Sequence, residues 1–220
     1  GAIAVDRFGG QDTVVVARGA MSLANRMKKR AMDILVSIVA LVFLAPLLLL
    51  VAIAIKLDSR GPVFFAQPRV GQSNRMFRIL KFRSMRIEAS DIDGKRSTSR
   101  GDDRVTRVGR IIRATSIDEL PQLINVLMGE MSLVGPRPHA VAHDVHYEQR
   151  IEEYPRRLNV KPGITGWAQV HGYRGATETE DDMRRRVEYD IYYIENWSLV
   201  LDLYILALTV LSPRAYQNAY

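Results

Sequence analysis

The sequence predicts an α+β, mostly helical protein. Its parts are a re-entrant membrane helix-break-helix, interfacial amphipathic helices and a small cytosolic domain built on a β-hairpin. Three observations predict it. Ile34 to Ile55 is a run of 22 residues without a formal charge. As one helix it would be ~33 Å long, enough for a hydrocarbon core of ~30 Å. Pro46 stands near its middle, where it donates no hydrogen bond and its ring meets the carbonyl of Val42. Both flanks are basic: Arg26, Lys28, Lys29 and Arg30 before the run, Lys56, Arg60, Arg69, Arg75 and Arg78 after it. Lysine and arginine favour the cytoplasmic side, so a true span would strand one flank. A re-entrant hairpin keeps both inside, with arms at Ile34 to Ala45 and Leu47 to Ile55 of ~18 and ~14 Å.

Residues 1–25 are expected to be a weakly ordered leader or the remnant of an upstream region. They carry Asp6 and Gly9–Gly10 and no long apolar core behind basic residues, so they are not a signal peptide. Residues 26–58 form the membrane segment and 59–220 the cytosolic and interfacial domain. Asp33, at the start of the apolar run, is a helix N-terminal charge or a partner for Lys28 to Arg30.

From Gly61 the pattern changes. Pro62 to Gln67 and Met76 to Ser84 read as strands joined by a turn around Gly71 to Asn74. Residues 88–104 are charged and nearly devoid of large apolar side chains, hence a loop. Val105 to Arg113 reads as a short helix with a basic face. Leu120, Leu123, Ile124, Leu127 and Met128 fall on helical spacing, with Gly129 as C-cap. Met183, Val187, Ile191 and Ile194 mark another amphipathic helix. Leu199 to Leu211 is apolar but too short to span, and suits a buried or interfacial helix. Tyr189, Tyr192, Tyr193, Trp197 and Tyr204 fit either an interface belt or ordinary core packing.

The composition is globular outside the apolar run, with 47% hydrophobic and 25% charged residues among 220. A formal charge of +7 calls for anionic partners: lipid headgroups, phosphorylated substrates or nucleic acid. The basic cluster before the membrane run is the usual flank of such a segment, and nucleic acid is not expected. Cysteine is absent, which excludes disulfides, thiolate catalysis and cysteine-ligated metals.

Ser116-Ile-Asp-Glu119 matches a capping box, with Glu119 reaching back to Ser116. Pro121 opposes it, because proline inside the first turns forfeits a backbone bond. A helix starting at Pro121 leaves Asp118 and Glu119 just before its N-terminus. Either way two adjacent carboxylates meet a helix dipole that favours their ionised form, fit for a nucleophile, a base or a hard-cation ligand. Gly135-Pro-Arg-Pro138 is stiff at both prolines and displays Arg137, whose planar fork suits phosphate. His139, His143 and His146, at i, i+4 and i+7, form a solvated helical face rather than a zinc site, since no fourth ligand accompanies them.

Several stretches together resemble one family. Gly61-Pro-Val-Phe-Phe-Ala-Gln67, Lys81-Phe-Arg-Ser-Met85, Ser116-Ile-Asp-Glu-Leu-Pro-Gln122, Asn125 to Pro138 and Lys161-Pro-Gly-Ile-Thr-Gly-Trp-Ala-Gln169 occur in the order found in the monotopic phosphoglycosyl transferases. His139-Ala-Val-Ala-His143, Arg174-Gly-Ala-Thr-Glu178, Arg186 to Asp190 and Asn218-Ala-Tyr220 look like the undecaprenyl-phosphate glucose phosphotransferase branch. His171 and Ala176 depart from that branch's usual Asn and Glu, which bears on the sugar more than on the reaction.

The resemblance implies a sugar-1-phosphate transferase on the cytoplasmic face of the bacterial inner membrane. Asp118 would attack the β-phosphate of a UDP-sugar, expel UMP and pass the phosphosugar to polyprenyl phosphate. Glu119 would assist. Mg2+ would sit at Asp118, with Glu119 as a second candidate ligand. Arg137 would hold a phosphate, with Lys81, Arg83 and Arg113 as weaker candidates and Asp190 as a further site member. The implied partners are a UDP-sugar, polyprenyl phosphate and membrane lipids, with no nucleic acid and a homodimer left open. Two other readings stand beside glucose: a galactose or N-acetylated donor, and a non-enzymatic membrane-anchored anion-binding module.

Overall fold

The computed structural model describes residues 3–8, 11–16, 21–86, 102–175 and 179–211. The loop expected over 88–104 falls mostly outside them, and Ala176, Glu178 and residues 218–220 fall wholly outside. Two strands come first, β1 (Ile3–Phe8) and β2 (Gln11–Val16), paired antiparallel with Ile3 opposite Val16. They lie within the segment read as a leader.

Helix α1 (Leu23–Asp58) begins where the Ser22 hydroxyl accepts from the amide of Asn25, and it continues through Pro46 to Asp58. Among the described residues it is the one helix long and apolar enough to cross a membrane. Its two faces differ. Lys29, Asp33, Ser37, Val51 and Ile55 are buried at helical spacing, while Val42, Phe43 and Leu57 are 71, 82 and 83% exposed. One stripe therefore rests on the rest of the chain and the other is bare hydrocarbon, an arrangement water penalises by ~25 cal/mol per Å2.

The hairpin follows as expected: β3 (Phe64–Val70) and β4 (Met76–Phe82) pair antiparallel, Phe65 opposite Lys81. Next come α2 (Arg107–Ala114), capped by the Thr106 hydroxyl, and α3 (Gln122–Met128), closed by Gly129 at φ 85°. That left-handed φ suits glycine because it has no Cβ. β5 (Ser132–Val134) pairs in parallel with β6 (Gly163–Thr165), a contact that the short, turn-rich stretches at Gly135 and Gly163 do not announce. A Cβ on Gly163 would lie 2.1 Å from the amide nitrogen of Gly135, so only glycine lets these strand ends meet. Between them lies α4 (Val141–Glu148); after them come α5 (Trp167–Val170), α6 (Glu180–Glu195) and α7 (Leu199–Leu211).

Phe77 and Ile79 of β4 meet Val126 of α3, Val134 of β5, Met183 and Val187 of α6 and Ile205 of α7 in the main core. A second core joins Val51 and Ile55 of α1 to Phe82 of β4 and Ile112 of α2. β4 thus faces both. The first half of α1, through Val36, Ala40 and Leu41, packs on the main core, and the second half on the other.

Buried charge fixes the start of α1. Lys29 Nζ donates to Asp202 Oδ2 (2.6 Å), and Tyr193 Oη and Trp197 Nε1 also donate to Asp202. Asp33 turns away from Lys28 to Arg30 and accepts from Ser132 Oγ and the Leu133 amide, both at 3.0 Å. The aromatic residues split between their two expected roles: Tyr193 is core, whereas Tyr192 and Tyr204 are half exposed beside Trp167.

Candidate active site

Three backbone segments converge on one spot. β4 supplies Lys81, a 3-10 turn at Ile117–Glu119 supplies Asp118 and Glu119, and the loop after β5 supplies Arg137. Asn125, fully buried on α3, locks the first two together. Its Oδ1 accepts from the Leu80 amide (2.9 Å), and its Nδ2 donates to the Arg78 carbonyl (2.8 Å) and to Glu130 Oε2 (2.7 Å). The side chain pairs with an edge of β4 as a strand would, next to Lys81.

The turn is entered through Ser116 in the left-handed region, φ 57° and ψ 15°. A non-glycine residue there costs about 1–3 kcal/mol, and such strain gathers at functional sites. The Ser116 hydroxyl caps nothing, so the capping box does not form; Pro121 caps α3, the alternative the proline favoured. Glu119 is released for other partners. Arg137 grips it with both Nη atoms, at 2.6 Å to Oε1 and 3.2 Å to Oε2. Lys81 Nζ donates to Oε1 (2.8 Å) and Arg174 Nη2 to Oε2 (3.0 Å). Burial alone would raise the pKa of Glu119, but Arg137, Lys81 and Arg174 overturn this and hold it well below the ordinary range.

Asp118 is different. It is 7% exposed, yet it makes no hydrogen bond or ion pair among the described residues. Burial pushes its pKa up to about 6, with the Glu119 charge adding to the rise and Lys81, Arg113 and Arg137 opposing it. The result is a carboxylate that is desolvated, unencumbered and surrounded by cations. Near neutral pH it is mostly ionised, the state that a nucleophile, a base or a hard-cation ligand requires.

Asp118, Glu119, Lys81 and Arg137 are therefore brought together as the sequence predicts. Arg113 also acts on Asp118, its Nη1 donating weakly to Ser84 Oγ. Arg83 is not part of this group. Its guanidinium is buried at the far end of α1, donating to the carbonyls of Ser59 (2.8 Å), Arg60 and Ile55. The pleat alone would put it on the same face as Lys81, two residues back, but Arg83 lies just past the end of β4 and its guanidinium is taken up by the carbonyls that close α1. Asp190 is likewise displaced: it is paired with Arg157 Nε (2.8 Å) inside the fold. Its carboxylate reaches the group around Asp118 only through Arg157, whose Nη2 donates to the Arg137 carbonyl.

The histidine face also needs correction. His139 precedes α4 and is buried, its Nδ1 against Tyr154 Oη (2.5 Å). Burial and the nearby arginines hold it neutral. Arg174 was missed: it sits in a turn without periodicity, and only the fold carries it to Glu119. Gln169, which accepts from Arg137 Nη1 (3.3 Å), was missed for the same reason.

A paired Asp-Glu turn beside a proline-flanked arginine, carried on a body with one bare apolar helix face, defines a class: the chain belongs to the bacterial sugar transferase family, whose pattern matches residues 24–213. It is 54% identical over 98% of its length to the undecaprenyl-phosphate glucose phosphotransferase of Komagataeibacter xylinus, covering 41% of that protein. It is 54% identical over 90% of its length to a UDP-glucose:undecaprenyl-phosphate glucose-1-phosphate transferase of Caulobacter vibrioides, covering 74% of that protein. It is also 50% identical over 83% of its length to an N-acetylgalactosaminephosphotransferase of Aeromonas hydrophila that uses undecaprenyl phosphate, covering 42% of it. The chain thus spans about two fifths of the first and third relatives.

Proposed function

We propose that this protein transfers glucose 1-phosphate from UDP-glucose to undecaprenyl phosphate and releases UMP, with Asp118 as nucleophile. The observation that carries it is the contrast within one turn: Glu119 is held by three cations while Asp118, equally buried, is left without a partner. A carboxylate kept for chemistry must be ionised and unbonded, whereas one kept for scaffolding is neither free nor near its titration point.

In the first step an Asp118 oxygen forms a bond to the β-phosphorus, and the bond from that phosphorus to the bridging oxygen breaks. UMP leaves with the electron pair. In the second step an oxygen of the lipid phosphate attacks the same phosphorus and Asp118 departs as carboxylate. The two half-reactions give ping-pong kinetics. Arg137, Lys81 and Arg113 offset the negative charge of an anion approaching an anion; Glu119 fixes Arg137, Lys81 and Arg174 in place.

Magnesium fits this donor set in one form. No group of three or more acidic or histidine side chains could enclose an ion among the described residues. Mg2+ does not require one, because it binds through one or two carboxylates plus substrate phosphates and water. Asp118 has oxygens to offer, while Glu119 would have to leave its cations, so Asp118 would be the ligand. The ion would supply charge neutralisation on the diphosphate.

The chain acts as a monotopic protein on the cytoplasmic face of the inner membrane. Both ends of α1 pack on one body, which supports keeping both basic flanks on the cytoplasmic side, although the helix runs through Pro46 without the break expected there. α7 and the outward residues of α2 lie at the interface with it. Residues 59–220 are the catalytic domain.

The test is UMP release across a panel of UDP-sugars, with Asp118→Asn as control. Release from UDP-glucose above the others, abolished by the substitution, supports the proposal. Full turnover by the variant overturns the nucleophile, and no release from any UDP-sugar overturns the enzyme reading. Preference for UDP-N-acetylgalactosamine would favour the second donor, named for the Aeromonas relative at 50% identity.

A further inference from the structure

Behind the catalytic turn lies a buried polar cluster that the reaction above does not use. His139 is at its centre, and an arginine stands against each ring nitrogen: Arg157 Nη1 at 3.1 Å from Nδ1, and Arg186 Nη1 at 3.0 Å from Nε2. With its proton on Nδ1 the ring donates to Tyr154 Oη, whose hydroxyl donates to Asp144 Oδ1 (2.7 Å), and Arg157 Nη1 packs against that side of the ring without a bond to it. Nε2 is then left to accept from Arg186. His139, Arg157 and Arg186 are each at least 94% inaccessible to solvent.

What the two arginines do with their other nitrogens is informative. Arg157 Nη2 donates to the backbone carbonyl of Arg137 (2.7 Å), and its Nε is neutralised by Asp190. Arg186 Nη2 donates to the carbonyl of Gly175, the residue after Arg174. Arg137 and Arg174 are the two guanidiniums that hold Glu119. Each brace therefore takes one loop by its backbone beside the clamping arginine, and His139 sets the spacing between the braces. The cluster is also costly. Arg186 carries a buried Nε with no partner, and burial together with Arg157 lowers its pKa to about 10. A buried polar group left unpaired costs about 1–3 kcal/mol, and a packing role alone could be filled by apolar side chains without that cost.

We propose that His139, Arg157 and Arg186 are positioning residues, a buried brace that sets where Arg137 and Arg174 stand on Glu119 and so shapes the phosphate site around Asp118. The inference rests on the transferase reading for its kinetic consequence, but the brace itself can be read without activity.

The experiment is a double-substitution cycle on the full chain in nanodiscs. UMP release and amide hydrogen exchange are measured for the unaltered protein, Arg174→Ala, Arg186→Gln and the pair. If Arg186 acts through Arg174, Arg186→Gln lowers kcat about tenfold with KM for the UDP-sugar changed less than about twofold. The pair then falls no further than Arg174→Ala alone, because residues acting as a unit are not additive. Exchange rises in 171–175 while the Gly135 amide, bonded to the Thr165 carbonyl, stays protected. Arg157→Lys should do the reverse, exposing the Gly135 and Arg137 amides and sparing 171–175; this second variant decides if Arg186→Gln shows no cooperative melting. Multiplicative losses in the pair, or unchanged exchange in both loops, would overturn the brace. Absence of UMP release from the unaltered protein would remove the transferase reading, and the exchange pattern would still decide the brace.

Discussion

Asp118→Asn should make the protein more stable while removing its activity. In the folded chain the carboxyl titrates at about 6 against a reference of 3.8, chiefly because it is buried. A carboxyl whose folded pKa is raised contributes its full stability below the reference value, and that contribution is lost as pH rises through the folded value. Each tenfold change in proton affinity is worth ~1.4 kcal/mol, so ionised Asp118 costs about 3 kcal/mol at pH 7.5. Asparagine is nearly isosteric and never pays this desolvation. For a chain of this size that corresponds to a rise in Tm of about 6–12 °C. The assay is thermal unfolding in nanodiscs at pH 7.5 and at pH 4. The variant should melt higher at pH 7.5, and the gap should close at pH 4 as Asp118 takes up its proton. A variant that melts at or below the unaltered protein at pH 7.5 would refute the reasoning, since Asp118 would then be held by partners and not kept in reserve.

The same titration governs rate: kcat/KM for UMP release should fall about tenfold per pH unit below about pH 6, because only ionised Asp118 can attack, and a flat profile down to pH 5 would contradict it. Arg137→Lys should lower UMP release by about 10–100-fold, because lysine cannot donate the paired bonds Arg137 makes to Glu119; steady-state kinetics check it. Asp202→Asn should destabilise the chain by about 3–5 kcal/mol, read by urea unfolding, because the buried Lys29 charge loses its counter-ion and keeps the Tyr193 hydroxyl. Cysteines placed before Asp33 and after Lys56 should both label from the cytoplasmic side; labelling from opposite sides would make α1 a span.

Local patterns were legible in the sequence and long-range polar contacts were not. The β3–β4 hairpin, the start of α3 after Pro121 and the bounds of α7 follow from periodicity and punctuation, which act over a few residues. Asp118, Glu119 and Arg137 were found because rigid turns hold unusual residues in short order. Arg83 was misplaced because two residues along from Lys81 looks like a shared site in sequence, yet its charge caps the end of α1. Arg174, His139 and Lys29 depend on partners 55, 47 and 173 positions away, and no spacing rule reaches that far.

Those long-range contacts tie the long apolar helix and the cluster around Asp118 into one unit. At the start of α1, Arg30 donates to the carbonyls of Val126 and Leu127, the open C-terminus of α3, whose other end carries the catalytic turn. Asp33 accepts from Ser132 and Leu133 of β5, four to five residues before Arg137. At the end of α1, the carbonyls of Ser59 and Arg60 are taken by Arg83, two residues from Lys81. Asp58 Oδ2 accepts from the Val108 amide in the first turn of α2, the helix that carries Arg113. The segments that supply Lys81, Arg113, Asp118, Glu119 and Arg137 are thus tied to α1 within a few residues, and Arg174 is the exception. A helix that only anchored would need none of these bonds. Bonds at both ends of α1 fix the position of Asp118 relative to the exposed apolar face, which under the proposed reaction would set the carboxylate level with a lipid phosphate.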